Sequence, residues 1–364
     1  MVIIAGLFIL YLCLMLVAIS GFTRTIKPSK SCGSDSFITL IIPYRNEENR
    51  IQNLLISLEI QKDISSVSKI IFVDDHSTDS SRKYINNWIS KQSLSCESLF
   101  LNQNHGKKRA IDLGVQKSSS EFVMIMDADV SFNDVYFDSI KKNIDLSHDL
   151  YLTSVIETNG VVWSRILSCS ISVISLGLAN LGIPILANGA GLIFRRKSYN
   201  ELNPFYSNFN ISSGDDMYLL NSFYSNNKSV KTLFNNNLVI KTQGSGDIQD
   251  LIERSLRWSG KMKMKGLLVT KLVGLLVVLC NLLIFPIIAI SIYNFQWLFL
   301  SLLLFKLFPD LLVLITGSFF YKENYLLKYS LPMFFLYPLI LLLIIFLQAI
   351  KYKVKWKERE LLNI

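Results

Sequence analysis

Carboxylates punctuate this chain at the ends of apolar runs, and those are the places where its residue types could do chemistry. Asp127-Ala-Asp129 follows the run Phe-Val-Met-Ile-Met. Two carboxylates in a tight turn can bind a hard divalent ion with open positions, since Mg²⁺ takes one or two carboxylates, keeps waters and completes its shell with substrate phosphates. A lone Asp-x-Asp is also a common solvated turn, so the strand before it carries much of the meaning. Asp74-Asp75-His76-Ser77-Thr78-Asp79 trails a second apolar run. Ser77 or Thr78 can cap the helix that follows, and Asp79 suits its first turn. Asp74 and Asp75 stand at the strand end, where they could accept hydrogen bonds from a nucleobase or ribose. His105-Gly106-Lys107 opens a helix, and a lysine beside a helix N-terminus suits a diphosphate because both offer positive potential. A surface lysine would read the same way in isolation. Asp215-Asp216 follows Ser-Ser-Gly. Adjacent carboxylates repel, which can raise one pKa and make a better base; a pair at a helix N-terminus is the other reading. Arg254 and Arg257, three apart, share a helix face next to Trp258, a pattern that an interfacial belt of Arg and Trp would also produce.

These residues need a scaffold that gathers strand ends. Phe37–Pro43 reads as a buried strand, and so do Lys69–Val73, Ser98–Leu101 and Glu121–Met126. Between them lie helical patterns at Glu47–Gln61, Thr78–Ile89 and Gly106–Val115, with Ile51, Leu54, Leu55 and Leu58 at helical spacing in the first. Alternating strands and helices predict an α/β fold, a mostly parallel sheet with helices on both faces. Ligands bind at the C-terminal ends of strands in such sheets, which is where both acidic clusters fall.

The ends of the chain are apolar. Of 364 residues 51% are hydrophobic, and the formal net charge is +9. Arg24, Lys27, Lys30, Lys261, Lys263, Lys265, Lys351, Lys353 and Lys355 flank apolar runs, so the basic balance suits a membrane surface and not a nucleic acid. Val2–Ile19 is long enough to span a bilayer. No basic residue precedes it and three follow, the reverse of a signal peptide, which predicts an uncleaved anchor and a cytoplasmic domain after it. Runs at 266–293, 296–318 and 330–350 predict further spans. Three spans would leave the basic tail on the wrong side, so one of these runs is expected to be re-entrant or interfacial, or to hide two short spans. Ile166–Ala187 is apolar but rich in Ser and Gly and predicts an interfacial or buried helix. Cys13, Cys32, Cys96, Cys169 and Cys280 are scattered and odd in number, which suggests no disulfide framework.

In this order the pieces resemble glycosyltransferase family 2, with the GT-A fold. The matching stations are IIPYRNEE at 41–48, VDDHSTD at 73–79, NHGKKRAIDLG at 104–114, MDADV at 126–130, NGAGLIFRR at 188–196, GDD at 214–216 and RSLRW at 254–258. They cover about residues 36–262. The expected organisation is a membrane anchor at 1–22, a GT-A domain at 36–262, a C-terminal transmembrane region at 266–350 and a basic tail at 351–364. The resemblance implies that Asp74 and Asp75 contact the nucleotide base and that Pro43 and Glu47 help to bind the donor. Lys107 would meet the diphosphate, Asp127 the ribose or metal site, and Asp129 would bind Mg²⁺ or Mn²⁺. Asp216 matches the general base of the family's Glu-Asp pair, and Arg257 and Trp258 match its Gln-x-x-Arg-Trp motif. Asn188, Gly189, Asp215 and Arg254 would line the acceptor or stand behind the residues that do. Arg254 replaces the usual Gln and Asp215 the usual Glu, which weakens any transfer of acceptor detail from processive synthases.

The implied reaction moves a sugar from a nucleotide diphosphate donor, UDP by resemblance, to a lipid-linked or saccharide acceptor with inversion, at the cytoplasmic face of a membrane of the bacterial inner-membrane type. The partners would be the nucleotide sugar, that acceptor and membrane lipids. A processive polysaccharide synthase is the alternative within the class, although few spans favour a single transfer. A membrane-bound nucleotidyltransferase would carry a Gly-rich phosphate loop after the first strand, where this chain has IPYRNEEN; a scaffold without activity would not need the acidic set.

Overall fold

The structure, a computed structural model, describes residues 2–24, 35–211, 213–263, 267–293, 298–352, 355–356 and 359–360. Lys27, Lys30, Cys32, Lys265 and Lys353 lie outside the described residues. In chain order the elements are α1 (Val2–Thr23), β1 (Ile38–Tyr44), α2 (Ile51–Glu59), β2 (Val67–Asp74), α3 (Ser81–Ile89), β3 (Cys96–Phe100), α4 (Lys107–Lys117), β4 (Phe122–Met126), β5 (Val130–Ser131), α5 (Tyr136–Asn143), β6 (Leu150–Thr158), α6 (Val162–Asn180) and β7 (Gly191–Arg195). Then come α7 (Arg196–Leu202), α8 (Asp215–Ser225), β8 (Val230–Leu233), β9 (Val239–Gln243), α9 (Ile248–Lys263), α10 (Leu268–Leu282), α11 (Ile284–Tyr293), α12 (Leu298–Tyr321) and α13 (Ser330–Ala349).

The sheet runs β3-β2-β1-β4-β7-β6-β9-β5, with β8 beside β6. Strands β1 to β4 pair in parallel, as the alternation predicted. β7 is antiparallel to both β4 and β6, so the sheet is mixed. Alternate residues of a strand face opposite sides, and the apolar runs fill both. Leu40, Ile42, Phe72 and Met124 pack with α2, α3 and α5. Ile41, Ile71 and Ile125 join a core that continues into the apolar helices through Phe8, Phe22, Val173 and Val313. One face of the sheet is thus packed as a single body with the membrane helices.

Among the described residues five helical stretches are long and apolar enough to cross a membrane: Val2–Thr23, Val162–Asn180, Leu268–Tyr293, Leu300–Tyr321 and Asn324–Ala349. Of the α6 stretch 61% is buried inside the protein, against 22–33% for the others, so α6 is a packed helix, as its Ser and Gly content predicted. The small residues explain its fit. A Cβ on Gly177 would lie 2.0 Å from the Ala18 carbonyl oxygen, and one on Gly21 would lie 2.1 Å from that of Gly177. The α1–α6 crossing therefore brings backbone against backbone. The run at 266–293 is broken at Leu283 into α10 and α11. Pro286 cannot donate to the carbonyl of Leu282 and its ring crowds that turn, which accounts for the break. Both ends of α13 meet elements next to the sheet. Tyr329 contacts the ring of Trp163 at the start of α6, and Gln348 donates to Ser259 of α9.

Candidate active site

Parallel pairing brings three strand ends together. Tyr44 is level with Asp74 on β2, and Met126 at the end of β4 faces Gly191 at the start of β7. The segments 45–50, 75–79, 127–129 and 188–190 therefore meet at one edge, and the N-termini of α4 and α8 point at it. Lys107, the first residue of α4, sits between Asp127 and Asp215 at 2.7 and 2.9 Å, and its Nζ also reaches the Gly189 carbonyl at 3.4 Å. Burial works against its charge, but Asp127 and Asp215 outweigh burial and hold its pKa above the ordinary lysine value. Burial pushes Asp127 up to about 6, helped by Asp129 and Asp215 and opposed by Lys107.

Asp75 acts one step behind. Its carboxylate accepts from the backbone N–H groups of His105 and Gly106 at 2.9 and 2.8 Å, so it fixes the turn from which Lys107 projects. Gly106 has φ +93°, open to glycine and strained for other residues. Asp74 does not reach the cavity. It is fully buried, paired with Arg82 at 2.7 Å and accepting from the Ser77 N–H at 2.7 Å. Ser77 and Thr78 do not cap α3, which begins later, at Ser81, whereas Asp79 Oδ1 accepts from the Ser81 N–H at 3.0 Å. All three also brace the neighbouring loop: Asn46 N–H donates to Ser77 Oγ, Thr78 N–H to Asn46 Oδ1, and Glu48 N–H to Asp79 Oδ2. For Ser77 and Thr78 the loop after β1 takes the place of the cap.

Every other predicted site residue lines one continuous cavity of about 1090 Å³: Pro43, Glu47, Asp75, Lys107, Asp127, Asp129, Asn188, Gly189, Asp215, Asp216, Arg254, Arg257 and Trp258. Asp216 is buried at the start of α8, its Oδ1 accepting from the Met217 N–H at 2.8 Å. Gly189 lets two side-chain ends close over bare backbone, since a Cβ there would lie 2.8 Å from Asp215 Oδ2 and 3.0 Å from Lys107 Nζ. On α9, Arg254 pairs with Glu157 of β6 at 3.1 Å and donates to the Gln243 carbonyl at 3.0 Å. Burial, with Arg254 beside it, lowers the Arg257 guanidinium to about 10.

Sequence reasoning missed Glu157, Arg50 and Lys108. Glu157 lies on a strand the apolar patterning did not single out. Arg50 is 2.9 Å from Glu47 and 3.7 Å from Asp129. Lys108 is buried, donates to the Asn208 carbonyl at 3.0 Å and lies 4.0 Å from the centre of the Tyr218 ring, tying α4 to α8. No group of three His, Cys, Asp or Glu side chains that could hold a metal occurs among the described residues. Asp129 and Asp127 alone fit an ion of the Mg²⁺ type, which completes its shell with substrate phosphates. The four described cysteines are free thiols.

The chain thus combines a mixed α/β sheet, with carboxylates and a half-buried lysine at its strand ends, and a bundle of helices long and apolar enough to cross a membrane. Residues 39–202 match the family described as glycosyl transferase family 2, and this part of the chain is a glycosyl transferase family 2 domain. A dolichyl-phosphate beta-glucosyltransferase of Dictyostelium discoideum is 32% identical over 100 residues, which is 26% of this chain and 31% of that protein. An undecaprenyl-phosphate 4-deoxy-4-formamido-L-arabinose transferase of Proteus mirabilis is 29% identical over 94 residues, 26% of this chain and 29% of that protein. The match thus spans about a third of the length of these curated relatives. A mannosyltransferase of Pyrobaculum calidifontis, solved with GDP-Man and Mn²⁺, shares the GT-A fold with a TM-score of 0.57 at 14% identity, over 88% of this chain and 95% of that one.

Proposed function

We propose that this protein transfers a sugar from a nucleotide diphosphate donor to an oxygen of a membrane lipid, with inversion, at the cytoplasmic membrane face. The observation that carries this reading is the continuity of the cavity. It holds Lys107, Asp127, Asp129 and Asp216 at one end and apolar residues of α6, α10, α12 and α13, such as Leu176, Val277, Leu314 and Ile344, at the other. A water-soluble donor can meet the polar end while an acceptor enters from the bilayer. A lipid phosphate is the acceptor class to which the relatives' names point, and a UDP-sugar is the first donor to test.

In this reading the charged Lys107 receives the donor diphosphate, helped by Arg257. Asp129, with Asp127, would hold Mg²⁺ or Mn²⁺, which supplies neutralisation of the departing diphosphate. Asp216 takes the proton where the acceptor is a hydroxyl. The acceptor oxygen then attacks the anomeric carbon from the face opposite the diphosphate, whose bond breaks and which leaves with the electron pair. Trp258 stacks on the face of the transferred or acceptor sugar. Asp75 and Gly189 do not touch the reacting atoms but aim Lys107.

The orientation follows from Arg24 after α1. With both ends of α13 beside sheet-domain elements, α13 need not cross, and the basic tail returns to the cytoplasmic side; this offers a way out of the charge conflict that three C-terminal spans would create. The test is a transfer assay on purified membranes with several radiolabelled nucleotide sugars, followed by organic extraction. Label moving from donor to the organic phase is expected. Donor turnover that leaves all label water-soluble would overturn the lipid acceptor.

A further inference from the structure

Two arginines three residues apart on α9 line the cavity, Arg254 and Arg257. Residues at that spacing share a helix face, with about 5–6 Å between their Cβ atoms. Arg254 is held on three sides. Its Nη1 lies 3.1 Å from Glu157 Oε1 of β6 and donates to the Gln243 carbonyl of β9 at 3.0 Å. Its Nη2 lies 3.5 Å from Asp250, one turn back on α9.

The platform under Arg254 is firmly built. β6 and β9 pair in parallel, with Glu157 level with Thr242 and Thr158 level with Gln243. The Glu157 N–H donates to Ser168 Oγ of α6 at 2.9 Å, which ties the strand end to that helix. Beyond the strands, the Gly244 N–H donates to the Thr158 carbonyl at 2.7 Å and the Val161 N–H to the Ser245 carbonyl at 2.8 Å. A Cβ on Gly160 would lie 2.6 Å from the Gly244 carbonyl carbon, so the two turns pack backbone on backbone. Glu157 is buried on this platform and still lines the cavity. Separating the pair would leave a buried carboxylate without its cation, which is costly.

The pair also sets the charge offered to an anion in the cavity. Lys107 and Arg257 are the cations that meet the donor diphosphate in the proposed reaction. A second guanidinium beside Arg257 would bind the donor and the departing nucleoside diphosphate alike. Such uniform binding does not speed the chemical step, and it delays release of the product. At the spacing of residues 254 and 257, an Arg254 side chain released from Glu157 can reach an anion held at Arg257.

We infer that Glu157 is a positioning residue that withdraws Arg254 from the diphosphate, leaving Arg257 as the arginine that meets it, so that the spent nucleoside diphosphate can leave. This inference rests on the nucleotide-sugar reading. The experiment titrates UDP, GDP, CDP and dTDP, each with Mn²⁺, into the full chain in detergent by calorimetry, beside a melting curve. Glu157→Gln keeps the side chain's shape and removes its charge. It should tighten nucleoside diphosphate binding about tenfold, the lower end for a hydrogen bond to a charged group. A merely structural role would weaken binding or leave it unchanged, and either result in a folded Glu157→Gln protein would overturn the withdrawal. Adding Arg254→Gln takes the released guanidinium away and should bring the affinity back to within about threefold of native. The double variant decides even where the single one does not fold: loss of most of the affinity in it would show that Arg254 is already a diphosphate ligand in the native protein. If the folded native protein binds none of the four nucleotides, the nucleotide-sugar reading itself falls and takes the role of Glu157 with it.

Discussion

Adding one methyl group at Gly189 separates the catalytic geometry from the fold. The Cβ of Gly189→Ala would stand 2.8 Å from Asp215 Oδ2 and 3.0 Å from Lys107 Nζ, with Asp216 Cβ at 3.6 Å. Ordinary contact requires the first two atoms to retreat by about 0.6 and 0.4 Å. Both are the ends of flexible side chains, so the backbone need not move and the core is untouched. The retreat disturbs the Lys107–Asp215 pair that meets over Gly189, and a misplacement of about 1 Å at a positioned group can cost about 10²-fold in rate. We therefore expect Gly189→Ala to slow sugar transfer by about tenfold or more, while thermal unfolding in detergent shifts by no more than a few degrees. Purified membranes, a radiolabelled donor and a parallel melting curve supply both numbers. A transfer rate within about twofold of native, with the substitution confirmed, would show that the Lys107–Asp215 pair does not set the chemistry. A collapse of the melting point would show that Gly189 serves the fold instead.

Asp216→Asn should lower turnover at least about 10²-fold with a lipid alcohol as acceptor, within the general-base range, and leave donor affinity within a few-fold. With a lipid phosphate, whose second proton leaves near pH 6, the loss should shrink as pH rises above 7; an equal loss with both acceptors at pH 8 would make Asp216 a positioning group. Because Asp127 is raised to about 6, its carboxylate gains a proton as pH falls through 6, so transfer should fail along that acidic limb. The folded form takes up this proton more readily than the unfolded chain, so the group does not weaken the fold there; a melting point that drops in step with activity would point elsewhere. Gly177→Ala sets a Cβ 2.0 Å from the Ala18 carbonyl, where backbone must give way, and overpacking of this kind costs about 1–3 kcal/mol; a native melting point in detergent would refute the close α1–α6 crossing. Asn86→Cys on exposed α3, in a chain with its native cysteines replaced, should react with a membrane-impermeant maleimide only after permeabilisation, and labelling in intact cells would reverse the proposed orientation.

Much of this protein was legible along the chain. Apolar runs marked β1, β2 and β4, the last two ending in acidic residues, because a strand buried on both faces needs a continuous apolar stretch and its end is the first place a carboxylate can stand. The Ser and Gly content of α6 was a local signal too. What the sequence could not show is which partners those residues would find. Asp74 and Asp75 are adjacent, yet one is sealed under Arg82 and the other holds the turn before Lys107, a division set by the alternation of strand faces and by the position of α4. Ser77 and Thr78 read as caps until the β1 loop arrived as a better partner. Glu157 lies nearly a hundred residues from Arg254, and Tyr11 and Asp310 meet from helices at opposite ends of the chain. Charge and hydropathy are properties of a residue and its neighbours in sequence; a cavity or a buried ion pair exists only once distant segments have closed around it.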